Sequence, residues 1–325
     1  MNRRSRAAWS WGRRALHLAG PILLIVLVWR IGLAPLRDVW SKAQPSWLIA
    51  AAFLNLALLQ LKSWRWRLLV RRQGIDLPAI PAWRHYAIGS ALGAWTPGRL
   101  GDFSKSIALQ RRTGMGAARA LASVLADRIL DAVALAVVAV LGVLSAGALA
   151  PGAGMMTGIL AVVLMAAIAL GAWLAPRAAA RARWLPASIR EACHELAAMT
   201  TRDMGAVSGV TVMTLALTMT QGWLVARGTG LPAGFLPLCG ALAIASLTSL
   251  APISIGGLGT REAVMAAVLA PSGAALADVV GFSLAHAAII SGSLAVIGAA
   301  AWLLLPEGGG RAESRYLRMP PSVGG

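Results

Sequence analysis

Long stretches without a charged side chain dominate the pattern of hydrophobic and polar positions along this chain. No Asp, Glu, Lys or Arg occurs in residues 43–61, 132–176, 204–226, 228–260 and 279–306. A membrane-spanning helix needs about 20 predominantly apolar residues, so several of these stretches are long enough to cross a bilayer. The pattern therefore predicts an all-α polytopic membrane protein.

Six apolar segments are predicted to be full spans. Their approximate limits are 15–34, 47–64, 121–144, 155–175, 204–226 and 276–305. Residues 35–46, which include Arg37, Asp38 and Lys42, are predicted to form a loop between the first two spans.

Two further segments are predicted to enter the membrane and return on the same side. Residues 85–98 offer only 14 positions without a charge, and apolar pieces of that length are more often re-entrant than spanning. This hairpin is predicted to enter from the cytoplasm and to turn at residues 96–98. The uncharged segment 228–260 is interrupted by proline and glycine, which predicts a second hairpin that enters from the outside.

The predicted elements form two units within a single membrane domain, residues 15–144 and 155–305. Each has the order two spans, one broken hairpin, one span, and the units begin on opposite sides, which predicts an inverted repeat. Residues 90–97 (SALGAWTP) also resemble residues 245–252 (ASLTSLAP). Inverted repeats with broken helices are typical of transporters. The alternative is that the two Pro/Gly interruptions are unrelated.

The charges lie mainly between the apolar segments. The chain has 30 Lys+Arg against 12 Asp+Glu, a net charge of +18, yet only 13% of its residues are charged. Nucleic-acid binders instead collect basic residues on one face of a folded domain, so we expect no nucleic-acid partner. The positive-inside rule predicts a multi-pass inner-membrane protein with both tails, 1–14 and 306–325, in the cytoplasm, the second being disordered. Cys193 and Cys239 are too far apart in sequence to suggest a disulfide framework or a cysteine-based zinc site.

The two predicted breaks carry ionisable side chains at membrane depth. The first contains TPGRLGDFSK over residues 96–105 and the second PISIGGLGTRE over residues 252–262. Ionisable groups there cost about 2.5–3.5 kcal/mol each and are rarely without a function. Restarting helices aim their positive ends at the same place, and guanidinium binds phosphate bidentately. We therefore predict a site for an anion, most naturally phosphate, formed by Arg99, Lys105 and Arg261.

Glycines, prolines and two acids accompany these bases. The residues predicted to break the helices are Pro97, Gly98, Gly101, Pro252, Gly256, Gly257 and Gly259. Asp102 and Glu262 are expected either to orient the arginines or to carry a coupling proton. The alternative is that Arg99 pairs with Asp102 and Arg261 with Glu262, so that both pairs only fix the turns.

Two secondary groups of candidates lie on neighbouring spans. Asp127 and Asp131 are one helical turn apart with Arg128 beside them; structural ion pairing is favoured there, because a Mg²⁺ site needs more carboxylates. Thr214 and Thr218 belong to a polar stripe with Ser208, Thr211 and Gln221. The stripe either lines a headgroup path or forms interhelical hydrogen bonds. We expect no metal and no cofactor.

The two break motifs, in this order and separation, resemble those of a known family. The string P-G-R-x-G-D from Pro97, the string P-x-S-x-G-G-x-G-x-R-E from Pro252, and residues 127–131 (DRILD) are similar to the lysylphosphatidylglycerol synthetase transmembrane-region family of flippase-like proteins. The resemblance covers about residues 15–305, with Asp102 where many members carry Glu. Bifunctional relatives add a soluble aminoacyltransferase domain, which we expect to be absent here.

The resemblance implies lipid translocation or another lipid-handling role without naming the lipid. Our first expectation is a flippase that moves an anionic or phosphate-bearing lipid between leaflets by alternating access. The first alternative is a membrane-embedded enzyme acting on a polyprenyl lipid or glycerophospholipid, with Asp102, Asp127 and Asp131 as metal or acid/base groups. The second is a scaffold of a lipid-synthesis complex. Expected partners are anionic membrane lipids, with a homo-oligomer or lipid-synthesis enzymes as further possibilities.

Overall fold

A computed structural model of the chain describes residues 22–147, 177–182, 185–199, 204–249, 257–269 and 273–305. Every regular element in these ranges is helical, which confirms the predicted all-α class. The predicted fourth span, 155–175, and both predicted tails lie outside the described residues.

Eleven helices and one 3₁₀ turn carry the described part of the architecture, besides a short helical piece at 177–181. They are α1 (Ile22–Ile31), α2 (Leu33–Ser41), α3 (Pro45–Arg71), α4 (Ala79–Ala94), the 3₁₀ turn (Leu100–Phe103), α5 (Ser104–Thr113), α6 (Ala117–Gly147), α7 (Ala187–Met199), α8 (Gly205–Thr229), α9 (Phe235–Thr248), α10 (Thr260–Leu269) and α11 (Leu276–Leu304).

Three helices of the described residues, α3, α8 and α11, are long and apolar enough to cross a membrane. They contain 27, 25 and 29 residues. At 1.5 Å per residue even the shortest exceeds the hydrocarbon thickness of roughly 30 Å. They coincide with the predicted spans 47–64, 204–226 and 276–305. The protein is therefore a membrane protein. The total of six spans stays a prediction.

The predicted loop at 35–46 is wrong, because residues 33–41 form helix α2. Gly32, with φ +82°, separates it from α1. Leu36 and Val39 are buried on one face of α2, and the Trp40 indole donates a hydrogen bond of 3.2 Å to the Gly281 carbonyl of α11. The charged residues of this segment occupy the other, exposed face, so charge in the sequence indicated an amphipathic helix rather than a loop.

Both predicted interruptions fall between two short helices. Helix α4 has 16 residues and α5 has 10; α9 has 14 and α10 has 10. Sixteen residues of helix are about 24 Å long, which is too short to cross a bilayer. Each short pair follows a long helix (α3 or α8) and precedes another (α6 or α11), so the element order and lengths correspond in the two halves of the chain.

The two halves pack against each other in a reciprocal way. Helix α6 of the first half lies on α9 of the second, while α11 of the second lies on α4 of the first, and α3 packs on α8. Small residues permit both crossings: a Cβ on Gly142 would lie 2.7 Å from the Gly240 nitrogen, and one on Gly298 would lie 3.3 Å from the Ala87 carbonyl oxygen. Close contacts through small residues are typical of helix packing in membranes.

Candidate functional site

The first break is a tight turn built from two successive left-handed residues. Gly98 and Arg99 have φ +57° and +56°, and Arg99 is the one non-glycine residue with positive φ in the described ranges. A non-glycine residue in this region costs on the order of 1–3 kcal/mol, which surrounding contacts must offset. The Thr96 hydroxyl oxygen accepts a hydrogen bond of 2.7 Å from the Gly101 amide, and Arg99 Nε donates to Asp102 Oδ2 at 3.1 Å. The turn thereby holds Arg99 in one place.

Glycines of α4 and of the 3₁₀ turn let the segment after the break lie directly on α4. A Cβ on Gly101 would come within 2.5 Å of the Gly93 nitrogen, and one on Gly93 within 2.7 Å of Asp102 Cγ. One turn earlier, a Cβ on Gly89 would lie 2.8 Å from Lys105 Cγ. Asp102 and Lys105 are consequently fully buried.

A network of buried charges lies behind this turn, centred on Asp127 of α6. Its carboxylate accepts hydrogen bonds from Arg65 Nη2 (2.7 Å), the Tyr86 hydroxyl (2.8 Å), Arg128 Nη2 (3.0 Å) and Lys105 Nζ (3.3 Å). The Lys105 ammonium also lies 3.8 Å from the centre of the Tyr86 ring. Removing one partner from such a buried pair leaves an uncompensated charge, which is strongly destabilising.

The network continues through two more carboxylates. Asp102 Oδ2 accepts from Arg128 Nη1 at 3.2 Å as well as from Arg99, and Asp131 Oδ1 accepts from Arg65 Nη2 at 2.6 Å. Lys62 Nζ lies 3.4 Å from Asp131 Oδ2. Five cationic side chains thus surround three carboxylates, which leaves a net charge of +2. The cations are Lys62, Arg65, Arg99, Lys105 and Arg128, and the carboxylates are Asp102, Asp127 and Asp131.

The second break has a different internal arrangement. Gly257 and Gly259 adopt φ +79° and +83°, while Pro252 and Gly256 lie outside the described residues. Glu262 is fully buried at the start of α10, where it accepts hydrogen bonds from the Gly259 amide (2.5 Å) and the Ser283 hydroxyl (2.9 Å) of α11. Its oxygens therefore cap the helix. In the described part of the chain, no hydrogen bond or ion pair joins the Arg261 side chain to another residue.

The two breaks contribute to one polar cavity of about 130 Å³. Arg99 comes from the first break and Arg261 from the second. The remaining wall is formed by α3, α6, α8 and α9, with the lining residues Lys62, Arg128, Asp131, Ala132, Ala134, Leu135, Thr211, Thr214, Leu215, Thr218, Ser246 and Ser249. Four cationic side chains face one carboxylate in this lining, so the cavity favours an anion.

A family model described as the lysylphosphatidylglycerol synthase TM region matches residues 16–298. The chain belongs to this family. The match covers most of its length and confirms the resemblance seen in the break motifs, and it makes the protein a family member related to lipid synthesis or lipid flipping. No curated protein matches the chain.

In this member of the lysylphosphatidylglycerol synthase TM-region family, an apolar groove of about 600 Å³ accompanies the polar cavity. Trp95 of the first break and Leu258 of the second both line it. The other lining residues come from α2, α3, α4 and α11, namely Trp40, Leu48, Ala94, Leu284, Ala285, Ala287, Ala288, Ile289 and Ser291. The same two breaks thus contribute cations to one cavity and large apolar side chains to another.

The structure divides the predicted site residues into two groups. Those that line the polar cavity are Arg99, Arg261, Arg128, Asp131, Thr214 and Thr218. Lys105, predicted as a headgroup base, does not line it, because its ammonium is buried against Asp127 and Tyr86. The fully buried acids Asp102, Asp127 and Glu262 do not line the cavity either. They accept hydrogen bonds from neighbouring residues.

The polar stripe of α8 also divides. Thr211, Thr214 and Thr218 line the cavity, whereas Gln221 donates a hydrogen bond of 2.7 Å to the Ala51 carbonyl of α3. Ser208 is exposed on the surface. The stripe therefore forms cavity wall in its middle and an interhelical hydrogen bond at Gln221.

Sequence reasoning missed Arg65. The sequence WRWR at 64–67 is typical of a membrane interface, yet Arg65 is fully buried at the centre of the charge network. Helical spacing could have indicated that Arg65 is buried. Residues three or four apart share a helix face, and one such series in α3 is Asn55, Leu58, Lys62, Arg65 and Leu69.

Proposed function

We propose that this protein moves an anionic or phosphate-bearing lipid between the leaflets of its membrane. The observation that carries the proposal is the meeting of Arg99 and Arg261, one from each broken helical pair, in the lining of a single polar cavity. A binding site shared by two corresponding halves is the arrangement on which alternating access depends.

Phosphate suits the charges available in the cavity. Arg99 uses its Nε toward Asp102, and its side chain keeps 34% of its surface exposed, so its other guanidinium nitrogens can bind a ligand. Among the described residues the Arg261 side chain forms no ion pair or hydrogen bond, and the carboxylate with which it interacts electrostatically is that of Glu262, its neighbour in the chain. The Arg99 and Arg261 guanidinium groups repel each other. A phosphate bound between them offsets this repulsion and can accept hydrogen bonds from both.

The apolar groove gives the lipid chains a place beside the same two breaks. Trp95 and Leu258 line the groove, and each lies within four residues of the arginine of its own break. In this proposal a lipid with its phosphate between Arg99 and Arg261 places an acyl or prenyl chain against the apolar groove.

We infer that the two halves of the chain are oppositely oriented in the membrane. Corresponding element lengths and the reciprocal packing of α6 on α9 and α11 on α4 support this repeat. Rocking of the two helical pairs about the shared cavity would expose it first to one leaflet and then to the other. The basic segments between the apolar stretches support an inner-membrane location with cytoplasmic termini.

We propose transport rather than catalysis because each carboxylate of the rival mechanism is held in ion pairs with neighbouring cations. Asp102 and Asp127 are fully buried and each is paired with at least two cations, and Asp131 accepts hydrogen bonds from Arg65 and Lys62. In the described residues, no group of three His, Cys, Asp or Glu side chains could hold a metal. Their role in this proposal is to fix the position of Arg99 and Arg128.

Reconstitution tests the proposal. In liposomes that contain a fluorescent anionic phospholipid, Arg261→Gln should slow leaflet exchange at least about tenfold, since one charge-assisted phosphate contact is worth roughly 1.5–3 kcal/mol. Arg227→Gln is the matched control, because Arg227 is exposed at the end of α8 and contacts Trp223 rather than the cavity. Equal exchange by wild type and Arg261→Gln would overturn the proposed function.

A further inference from the structure

The apolar groove lies on α11 between two contacts that this helix makes with its neighbours. The residues of α11 that line it fall between positions 284 and 291. Beyond one end, Gly298 lies against Ala87 of α4. Beyond the other end, Gly281 lies so close to Val39 of α2 that an added Cβ would be 2.9 Å from Val39 Cγ1. Helices α4 and α2 therefore close the two ends of the groove.

The two closing helices differ in how firmly they are held. Helix α4 has seven buried residues among its 16, whereas α2 buries Leu36 and Val39 alone. The preceding helix α1 has no buried residue, and Gly32, with φ +82°, joins it to α2. Elements with few buried contacts are the ones that open locally. The α2 end of the groove is therefore the end that can open.

Trp40 closes the α2 end of the groove. Its side chain lines the groove, and its indole nitrogen donates the hydrogen bond of 3.2 Å to the Gly281 carbonyl. On the outer face of α2, Arg37 and Asp38 are exposed, and the exposed Lys42 follows the helix. An apolar face with charges opposite is typical of a helix that lies at the membrane surface. This end of the groove is thus placed at the level of the lipid headgroups.

We propose that α2 is a lid that controls the entry of the lipid headgroup into the protein. The inference rests on the proposed function and adds the point of entry. In the closed state, Val39 and Trp40 hold α2 on Gly281. Opening breaks the Trp40 hydrogen bond and turns α2 away from α11, while the Gln44 amide keeps its hydrogen bond of 2.8 Å to the Gly228 carbonyl. The headgroup then passes from the membrane surface toward the two breaks, and its chain follows in the groove.

A disulfide between α2 and α11 tests the lid in a protein whose native cysteines are replaced by serine. The variant Val39→Cys/Gly281→Cys is suitable because a Cβ on Gly281 would lie 3.3 Å from Val39 Cβ. Disulfides span Cβ separations of about 3.5–4.5 Å, so a small shift is sufficient. In phosphatidylcholine liposomes, the oxidised protein should exchange fluorescent phosphatidylglycerol at least about tenfold more slowly than the same protein after reduction, because a lid that cannot open excludes the headgroup.

Two controls separate closure of the lid from chemical modification. The same two thiols joined by a long, flexible bis-maleimide leave α2 free to turn, so exchange should remain near that of the reduced protein. The cysteine-free parent, treated with the same oxidant, should not change its rate.

A second measurement follows lid opening without transport. N-ethylmaleimide reaches the thiol of a single Val39→Cys when α2 leaves α11, since residue 39 is buried in the closed state. Trp40→Phe keeps an aromatic ring and removes the indole N–H, so labelling should become about twofold to tenfold faster, the factor to which one net hydrogen bond corresponds. Trp47→Phe is the matched control, because the Trp47 indole donates to Gln44 Oε1 and does not line the groove. Its labelling rate should equal that of the parent.

The outcomes distinguish the lid from the proposed function. Equal exchange by oxidised and reduced protein, failure of the two thiols to pair, or equal labelling with and without Trp40→Phe would overturn the lid. The proposed function would survive these results if exchange still depended on Arg261. A cysteine-free parent that exchanged no lipid would overturn the proposed function, and the lid with it.

Discussion

Asp127 lies inside the protein among three cationic side chains and a tyrosine hydroxyl. Arg65, Lys105 and Arg128 each donate to its carboxylate, and the first two are fully buried. The carboxylate therefore neutralises charges that come from α3, α5 and α6 together. Its contribution is to join three elements through one residue.

Asp127→Asn should reduce the stability of the folded protein by about 3–5 kcal/mol, because the amide leaves Arg65 and Lys105 buried beside a neutral group. Thermal unfolding in detergent, followed by tryptophan fluorescence, measures the loss. Asp38→Asn is the control: that residue forms an exposed pair with Lys42, so the melting temperature should not change. Equal melting of Asp127→Asn and wild type would show that the network does not stabilise the fold.

At this scale the sequence predicted the cavity arginines but not the position of Lys105. Arg99 and Lys105 are six residues apart, and their spacing places both in one basic motif. The left-handed conformation of Gly98 and Arg99 sets the direction in which α5 begins. Because that choice is made by packing against α4, sequence spacing could not show that Lys105 faces Asp127 while Arg99 faces the cavity.

Among the helical elements, the first broken pair depends on how closely its 3₁₀ turn approaches α4. The approach is possible because Gly93 and Gly101 have no side chain at the point of contact. The buried position of Asp102, and through it the position of Arg99, follows from this contact. Backbone proximity thus determines where a functional side chain lies.

Gly101→Ala should destabilise the protein by about 1–3 kcal/mol, since its Cβ would overlap the α4 backbone at Gly93 and force the turn away. Leaflet exchange should fall with it, because the turn carries Arg99. Gly209→Ala, on α8 with open space around the added carbon, should leave melting unchanged or raise it slightly. The contact argument fails if Gly101→Ala melts and transports like Gly209→Ala.

Helix breaks were easier to predict than helix continuations. Proline and glycine at 97–98 and 257–259 mark interruptions directly, and both interruptions are present among the described residues. The sequence pattern does not reveal helix α2, because the charges of Arg37, Asp38 and Lys42 indicate a loop. Its two buried positions, Leu36 and Val39, are only three apart, and such a short amphipathic pattern becomes convincing only with α11 beside it.

For the whole molecule, the sequence predicted two similar halves from one short match and two broken segments. The shared cavity could not be predicted in the same way. Its wall comes from α3, α6, α8, α9 and the two breaks, and α6 crosses α9 closely at Gly142 and Gly240. Such crossings depend on the complementary shapes of helices that are far apart in the chain, and neither helix alone encodes them.

The inverted repeat makes opposite predictions for two equivalent positions. Gly116 immediately precedes α6, and Ala275 immediately precedes α11. Both positions are exposed, and neither requires a left-handed backbone. If the halves are oppositely oriented, Gly116 lies on the cytoplasmic side and Ala275 on the outer side.

Single cysteines at these positions test the orientation once the native thiols, Cys193 and Cys239, are replaced by serine. A membrane-impermeant maleimide added to intact cells should label Ala275→Cys and leave Gly116→Cys unlabelled until the membrane is opened. Each variant controls for the reactivity of the other, since both thiols become accessible after permeabilisation. Labelling of both cysteines from the same side would mean that the halves are parallel, and rocking of inverted pairs could then not carry a lipid from one leaflet to the other.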